Sequence, residues 1–471
     1  MDHRKEIIMK RNLNVKTINL PEPPPGKLGK WDLYALAVGT VIGAGIVTLV
    51  GPAIAATGYS VWLAYIVALV FGLFYAAPVI LLSSAMRLSG SEYSIVAGLI
   101  GPLPAGVLAV GRLTSGLLLA LFGTSFGVYV NSVFPFISIR TAAIATLTFF
   151  YIVNLFGINI MAKVQKAMTW LLIVALLMFS IVGLFKIEYP VFDFSAPTFF
   201  ANGFSGFFTA VMLLYFSCTG YYTTMAYGRD AKNATKDIPW AMLLTFGTIF
   251  VLYTLVAIVS AGVLPMDQTA GQPLTALAKH VLPAPLFFAF MICGPVLALA
   301  TSINGAIANI PYGLLQQCFD GWFPQSFATK NKYGAYWKIL TFTYIISVLP
   351  VLLGFSVTII TNNMMLFNSC LSFLLIYAYY RLPTKFPTGW KNSSLHVPNA
   401  LYYVIITGSL AVNLIAFFQS MASLTTTIIT VSLAIMVFAL VYTIVRNHKA
   451  EVVINTSIWE KTVSPVEQSK N

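Results

Sequence analysis

Residues 38–47 read Val-Gly-Thr-Val-Ile-Gly-Ala-Gly-Ile-Val. The stretch carries no charge and no side-chain amide, so it belongs in an apolar setting, yet Gly39, Gly43 and Gly45 fall within seven positions. Each glycine costs a helix interior about 1 kcal/mol relative to alanine. Two readings follow: a helix that breaks here, or a helix whose small residues let a neighbour come close, as the Gly39 and Gly43 spacing allows. Outward from it the apolar run extends over 33–56, long enough to cross a hydrocarbon core as a helix.

Runs of the same kind recur at 60–86, 104–131, 140–159, 164–185, 204–226, 238–263, 284–316, 338–357, 359–380, 399–418 and 424–445. The 471 residues are 58% hydrophobic and 9% charged, against roughly 25% charged in soluble domains. The chain reads as an all-α polytopic membrane protein of twelve transmembrane helices. This excludes soluble, secreted, nucleic-acid-binding and disordered classes. The excess of basic residues then becomes a topology signal. With the N-terminus inside, 23 of the 27 Lys and Arg residues fall in tails and inner loops, against Arg140, Lys186 and Lys279 outside and Arg112 within the third span. Under the positive-inside rule both termini are cytoplasmic, with the plasma (inner) membrane the expected location.

A basic tail (1–30), containing Pro-Glu-Pro-Pro-Pro-Gly at 21–26, precedes one transmembrane domain (31–446), and a second cytoplasmic tail (447–471) follows. No cleaved signal peptide is expected. The N-terminal tail either attracts anionic membrane lipid or folds over the inner mouth, or is a solvated segment whose charge sets topology. Cys218, Cys293, Cys318 and Cys370 lie in or beside spans without a CxxC pattern, so neither a disulfide nor a metal cluster is expected.

The membrane interior is poor in ionisable groups. His3, His280, His396 and His448 fall in tails or loops, and of the fourteen acids only Asp32, at the start of the first span, approaches the core. That argues against carboxylate–histidine proton relays, intramembrane metalloproteases and heme or zinc sites, and so against an enzyme. It also argues against a pocket for polycations. Arg112 either snorkels or bonds to the inner loops, or else lines an inner substrate path.

The sixth span holds Tyr-Phe-Ser-Cys-Thr-Gly-Tyr-Tyr at 215–222, a second weak point at mid-membrane. Spans one and six lead two five-span halves, repeat one (31–187) and repeat two (204–381), followed by helices 11–12 (399–446). An odd number of spans per half makes these halves an inverted repeat. Discontinuous helices at matching positions of inverted halves point to a transporter site, where freed N–H and C=O groups line a cavity.

Several stretches together resemble the amino acid–polyamine–organocation permease superfamily, which has the inverted-repeat fold of the bacterial leucine transporter. They are Gly-Thr-Val-Ile-Gly-Ala-Gly-Ile at 39–46, Ser-Gly-Ser-Glu-Tyr at 90–94 with Gly101-Pro102, and Asn154-Leu-Phe-Gly157 leading to Lys163-Val-Gln165. Further along come Ala-Lys-Asn-Ala-Thr-Lys-Asp-Ile-Pro at 231–239 and Asp320-Gly-Trp-Phe-Pro324. The resemblance implies a substrate site built on Ile42, Gly43, Ala44, Gly45, Ile46, Phe216, Cys218, Thr219 and Gly220. A carboxylate would rest on the N–H groups of residues 44–46. An ammonium would meet the carbonyls of Ile42, Phe216 and Thr219. Phe216 stands where the family has an aromatic lid, although core packing explains it equally, and Ser115, Leu119 and Phe122 would face the side-chain pocket.

Two departures carry information. Tyr222 stands where the family often has a glutamate, and Leu172 where sodium-independent members often have a lysine. Meanwhile Ala298-Leu-Ala-Thr301-Ser302 resembles the sodium site of sodium-coupled relatives, with Gly39, Ile42 and Ala298 supplying carbonyls and Thr301 and Ser302 hydroxyls. The alternative is that both hydroxyls bond helix carbonyls. The expectation is a secondary transporter for a neutral zwitterionic L-amino acid, a monomer or weak homo-oligomer, with no cofactor unless Na+ is the coupling ion. The rivals are an exchanger or proton-coupled permease for cationic amino acids or polyamines, a membrane-embedded enzyme, and a channel.

Overall fold

The computed structural model describes residues 26–113, 116–354, 370–421, 426–448 and 452–454. Ser115, most of both tails and residues 359–369 of the tenth predicted span lie outside the described residues. The described chain is helical, with one isolated parallel bridge between Leu28 and Ala231. In chain order the main helices are α1 (Lys30–Val41), α2 (Ala44–Thr48), α3 (Val50–Thr57), α4 (Val61–Ala85), α5 (Ser91–Leu99) and α6 (Pro102–Arg112). There follow α7 (Gly116–Val133), α8 (Ile139–Leu155), α9 (Ile158–Leu184), α10 (Gly203–Tyr215), α11 (Ala234–Gly262) and α12 (Ala284–Met291). The last are α13 (Leu297–Phe319), α14 (Trp337–Leu353), α15 (Cys370–Tyr380), α16 (Asn399–Met421) and α17 (Thr426–His448).

Each predicted apolar run contains helix. Among the described residues seven stretches are, by length and composition, long and apolar enough to cross a membrane, including Val50–Ala85, Ile158–Leu184, Ala234–Gly262 and Ala284–Phe319. Five shorter apolar helices lie between or after them. The chain is a multi-pass membrane protein. At 1.5 Å per residue the 27 residues of α9 reach about 40 Å, past a hydrocarbon core of about 30 Å. Where α12 meets α13 the ladder widens into one π turn, Ile292–Val296, around Pro295, which has no N–H to give.

Among the described residues the helices pack through two main apolar cores and a small third one at Leu314, Leu315, Cys318 and Ile339. The larger core joins α1, α4, α9, α10 and α11, for example Leu36, Ala68, Leu172, Leu214 and Val256, all with no exposed surface. The second joins α7, α8, α13 and α14 through Leu119, Leu147, Ile303 and Val348. Helix α13 packs against α1 and α9 as well as α7 and α8, so it is the seam between the two.

Polar contacts gather at the end of the bundle where the predicted inner loops lie. Leu28 N–H donates to Asp230 O at 2.8 Å and Lys232 N–H to Leu28 O at 2.9 Å, pinning the segment before α1 to the end of the sixth span. Lys166 reaches Asp32 at 2.6 Å. Arg87 donates to the carbonyls of Gly228 and Arg229. Arg112 forms an ion pair with Glu92 of α5, in the segment between the second and third predicted spans. Tyr93 O–H donates to Asp320 Oδ2 at 2.7 Å and Gln316 Nε2 to Asp320 Oδ1 at 3.0 Å.

Placing acids by span boundaries alone had put only Asp32 near the core. Glu92 and Asp320 are in fact 4% and 2% exposed, because α5 folds back under the bundle and buries both. Removing one member of a buried pair strands the other charge. Glu92→Ala is therefore expected to lower stability by roughly the lower end of the 3–5 kcal/mol range, since Arg112 keeps partial access to solvent. Glu92→Ala combined with Arg112→Leu should recover most of this in thermal unfolding of detergent-solubilised protein. Burial pushes the Asp320 carboxyl from its ordinary 3.8 up to about 7, against the lowering effect of its Tyr93 and Gln316 bonds. The folded state thus holds a proton that the unfolded state releases, and stability falls as pH rises from about 4 to 7. Asp320→Asn should flatten the thermal stability profile across that window; an unchanged profile would show that Asp320 is already ionised in the fold.

Candidate functional site

Helix α1 stops where Ile42 N–H donates to Val38 O at 2.9 Å. Ile42 (φ −75°, ψ 92°) and Gly43 (φ −131°, ψ −148°) are extended, and α2 begins at Ala44. The break reading of residues 38–47 is the observed one, and close packing accompanies it. A Cβ at Gly43 would sit 2.5 Å from Ser302 Oγ, and one at Gly45 would collide with the Ser217 side chain, whose Cα would be 3.2 Å away. Gly39 is closed off by Gln165. The glycines are needed because neighbouring helices touch the backbone itself.

The second break has different geometry. α10 tightens into a 3-10 turn over Phe216–Cys218, Thr219 is extended, and Gly220 takes φ +117° before a further 3-10 stretch, Tyr221–Arg229. Only glycine adopts that φ without strain, and Thr40 O lies 2.8 Å from where its Cβ would be. The two breaks meet here. Thr40 Oγ1 donates to Ala37 O at 2.8 Å and reaches Gly220 O at 3.4 Å, while Tyr253 of α11 donates to Val41 O at 3.2 Å. Backbone that leaves helical pairing inside a membrane has to be satisfied by neighbours, and α11 supplies one such partner.

Ile42 and Ile46 are fully buried in the larger core, and Cys218 is buried with its carbonyl and Cβ against Gly72 of α4. Ala44 and Phe216 are described in backbone only. Leu119 is fully buried and Phe122 half-buried in the second core, beside Ala300 and Ile303 of α13. The predicted residues therefore divide between the two packing bodies, with α13 between them.

Four of the five residues of the predicted ion site come together. Ser302 Oγ donates to Gly39 O at 3.3 Å and lies 3.1 Å from Ala298 O, and Thr301 Oγ1 donates to Ala298 O at 3.0 Å. Ile42, at the end of α1, joins them through no hydrogen bond. The cluster consists of neutral oxygens, a donor type that suits a hard cation, and its hydroxyls also satisfy the carbonyls directly.

Sequence reasoning missed a buried amide ladder beside this cluster. Asn154 Nδ2 donates to Asn304 Oδ1 at 3.0 Å, Asn304 Nδ2 to Gln165 Oε1 at 2.7 Å, and Gln165 Nε2 to Thr301 O at 3.3 Å. The signal was present as three amides inside apolar runs, but no local spacing connects residues more than a hundred positions apart. Ser217 and Tyr253, which close on the breaks, were missed for the same reason.

Two interrupted helices touch at mid-bundle, where backbone and neutral polar groups surround them. The sequence pattern of the amino acid permease family matches residues 28–459, and the chain belongs to that family. It is 26% identical over 268 residues to the branched-chain amino acid permease BcaP of Bacillus subtilis, covering 52% of this chain and 56% of that one. It is 28% identical over 327 residues to a vacuolar cationic amino acid transporter 2 of Arabidopsis thaliana, covering 64% and 51%. An uncharacterized protein of Methanocaldococcus jannaschii is 25% identical over 337 residues, covering 69% and 75%. The match thus spans little more than half the length of the two named transporters.

Gly220→Ala is expected to cost about 1–3 kcal/mol from the strained φ, with the clash against Thr40 O adding to it. A fall of several degrees in thermal unfolding should result. Gly247→Ala, in α11 with open space where a Cβ would be, is the control and should be neutral or stabilising.

Proposed function

We propose that the chain is a secondary active transporter that carries a neutral, zwitterionic L-amino acid across the plasma membrane by alternating access. The observation that carries this reading is the contact between the breaks at Gly43 and Gly220, where α2 starts and the sixth span unwinds. N–H groups in the first turn of α2 have no partner within the helix, so residues 44–46 offer donors to a carboxylate. Carbonyls of Ile42, Phe216 and Thr219 accept from the ammonium. Leu119 and Phe122 line the space for the side chain, and their apolar character favours an apolar or small substrate.

In this reading twelve spans form a 5+5 inverted repeat with two further helices, and both termini are cytoplasmic. The larger apolar core holds spans one, two, six and seven together with span five and part of span three, and the second joins spans three, four, eight and nine. A rocking motion would have to open the larger core where spans one, two, six and seven meet span five. A sodium ion bound by Gly39, Ile42, Ala298, Thr301 and Ser302 would tie α1 to α13 across that seam. It would have to replace the hydroxyl bonds that now join these oxygens.

The names of the plant relatives favour a second reading, transport of cationic amino acids. A cationic side chain would be expected to find a carboxylate near the breaks, and the predicted pocket residues supply none.

Uptake of labelled leucine, alanine, arginine and putrescine into proteoliposomes tests both readings, with an inward sodium gradient, an inward proton gradient or preloaded substrate. Neutral amino acid uptake is expected, with sodium stimulation that Thr301→Ala or Ser302→Ala reduces at least tenfold. Stimulation by protons or preloaded substrate alone makes the hydroxyl pair structural. Uptake of arginine or putrescine with none of leucine or alanine sinks the neutral-substrate reading.

A further inference from the structure

Below the two breaks a cavity of ≈ 210 Å³ lies among the end of span four, the start of span five, the inner part of α13 and the segment before α14. Its wall includes Lys27, Asn154, Asp230, Tyr312, Lys330 and Tyr336. We infer that this cavity is a second binding site for an α-amino acid zwitterion, on the cytoplasmic side and distinct from the site at the breaks. The inference rests on the transport reading above for its ligand class.

The cavity is assembled by specific bonds rather than left over between helix ends. The Leu28 bridge to Asp230 and Lys232 holds Lys27 and Asp230, about 200 residues apart in the chain, in the wall of one cavity. Asn331 Nδ2 donates to Leu155 O at 2.8 Å and pins the segment carrying Lys330 and Tyr336 against the corner between α8 and α9. Lys330 Nζ lies over the Tyr336 ring at 5.2 Å, which holds the ammonium in place through a cation–π contact. Asp230 lies against the Tyr312 hydroxyl.

Asn154 gives the cavity an oriented acceptor. Its Nδ2 is used twice, towards Phe150 O at 2.8 Å and Asn304 Oδ1 at 3.0 Å, and no described residue donates to its Oδ1. Turning the amide over would break both bonds and the ladder behind them, so Oδ1 is fixed as an acceptor. The wall thus offers two ammonium groups to a carboxylate, and a carboxylate and an amide oxygen to an ammonium. A lone anion would face the Asp230 carboxylate, and a lone cation would face two lysines. A zwitterion uses both sets. The volume falls below the roughly 300–1,000 Å³ of clefts for drug-sized ligands and suits a molecule the size of an amino acid.

The test is equilibrium binding of radiolabelled L-leucine to full-length protein in detergent, with L-alanine and L-arginine as further probes and inorganic phosphate and putrescine as competitors. Two molecules per chain are expected in the wild type and one in Lys330→Glu, whose site of change is exposed and leaves the core intact. Asp230→Asn should reproduce that loss. One molecule per chain in both wild type and Lys330→Glu overturns the second site while leaving the transport reading in place. Displacement of one of the two molecules by phosphate alone or putrescine alone, at concentrations where the amino acid binds, overturns the zwitterion assignment. Absence of binding by any of the amino acids removes the transport reading and this site with it.

Discussion

The contact between Thr40 and Gly220 organises the structure. An interrupted helix exposes peptide groups that the hydrocarbon core cannot satisfy, so each break needs partners from other helices. Here the breaks serve each other, with Thr40 at one meeting the Gly220 backbone at the other, and Tyr253 closing on Val41 O. That requirement fixes which helices surround them. Helix α11 comes in to donate, α13 brings Ser302 to Gly39 O, and α9 brings Gln165 against Gly39. Side chains larger than glycine at positions 39, 43 and 45 would hold these helices apart.

Charge and polarity are graded through the bundle. Around the breaks the groups are backbone, hydroxyl and amide; the ion pairs Asp32–Lys166 and Glu92–Arg112 and the Asp320 carboxyl lie towards the end where the inner loops gather. Neutral groups can be buried at mid-membrane for the cost of pairing them, whereas an ionised group there needs a partner or water. The amide ladder spans the interval between the two zones. It runs from Thr301 beside the breaks to Asn154 on the cavity wall without placing a formal charge in between.

Much of the fold was legible in the chain because lipid imposes a simple rule on length and polarity. Every predicted run contains helix, and the glycine cluster at 39–45 marks a break at Gly43. The weaker signal at 215–222 also proved to be a break, carried by the one residue there that tolerates φ +117°. The site was legible only in part. The resemblance located the oxygens of Gly39, Ala298, Thr301 and Ser302 near one another, yet Gln165, Asn304, Ser217 and Tyr253 were invisible as members. Their roles depend on which helix faces which, and an apolar run gives little indication of its facing side when nearly all its residues are apolar. Glu92 and Asp320 were misplaced because a loop position was taken as exposed, whereas α5 tucks beneath the bundle.

By itself the sequence determined a multi-pass helical chain, the positions where its helices could give way and the family to which it belongs. These follow from local properties: apolar length, glycine content and motifs read in order. Tertiary structure alone decided that the two breaks touch, that Asn304 joins Asn154 and Gln165 in one ladder from well over a hundred positions away, and that Lys27, Asp230 and Lys330 line one cavity. Such contacts join residues separated by tens to hundreds of positions. They are set by how helices pack against one another, an interaction that no local window of sequence contains.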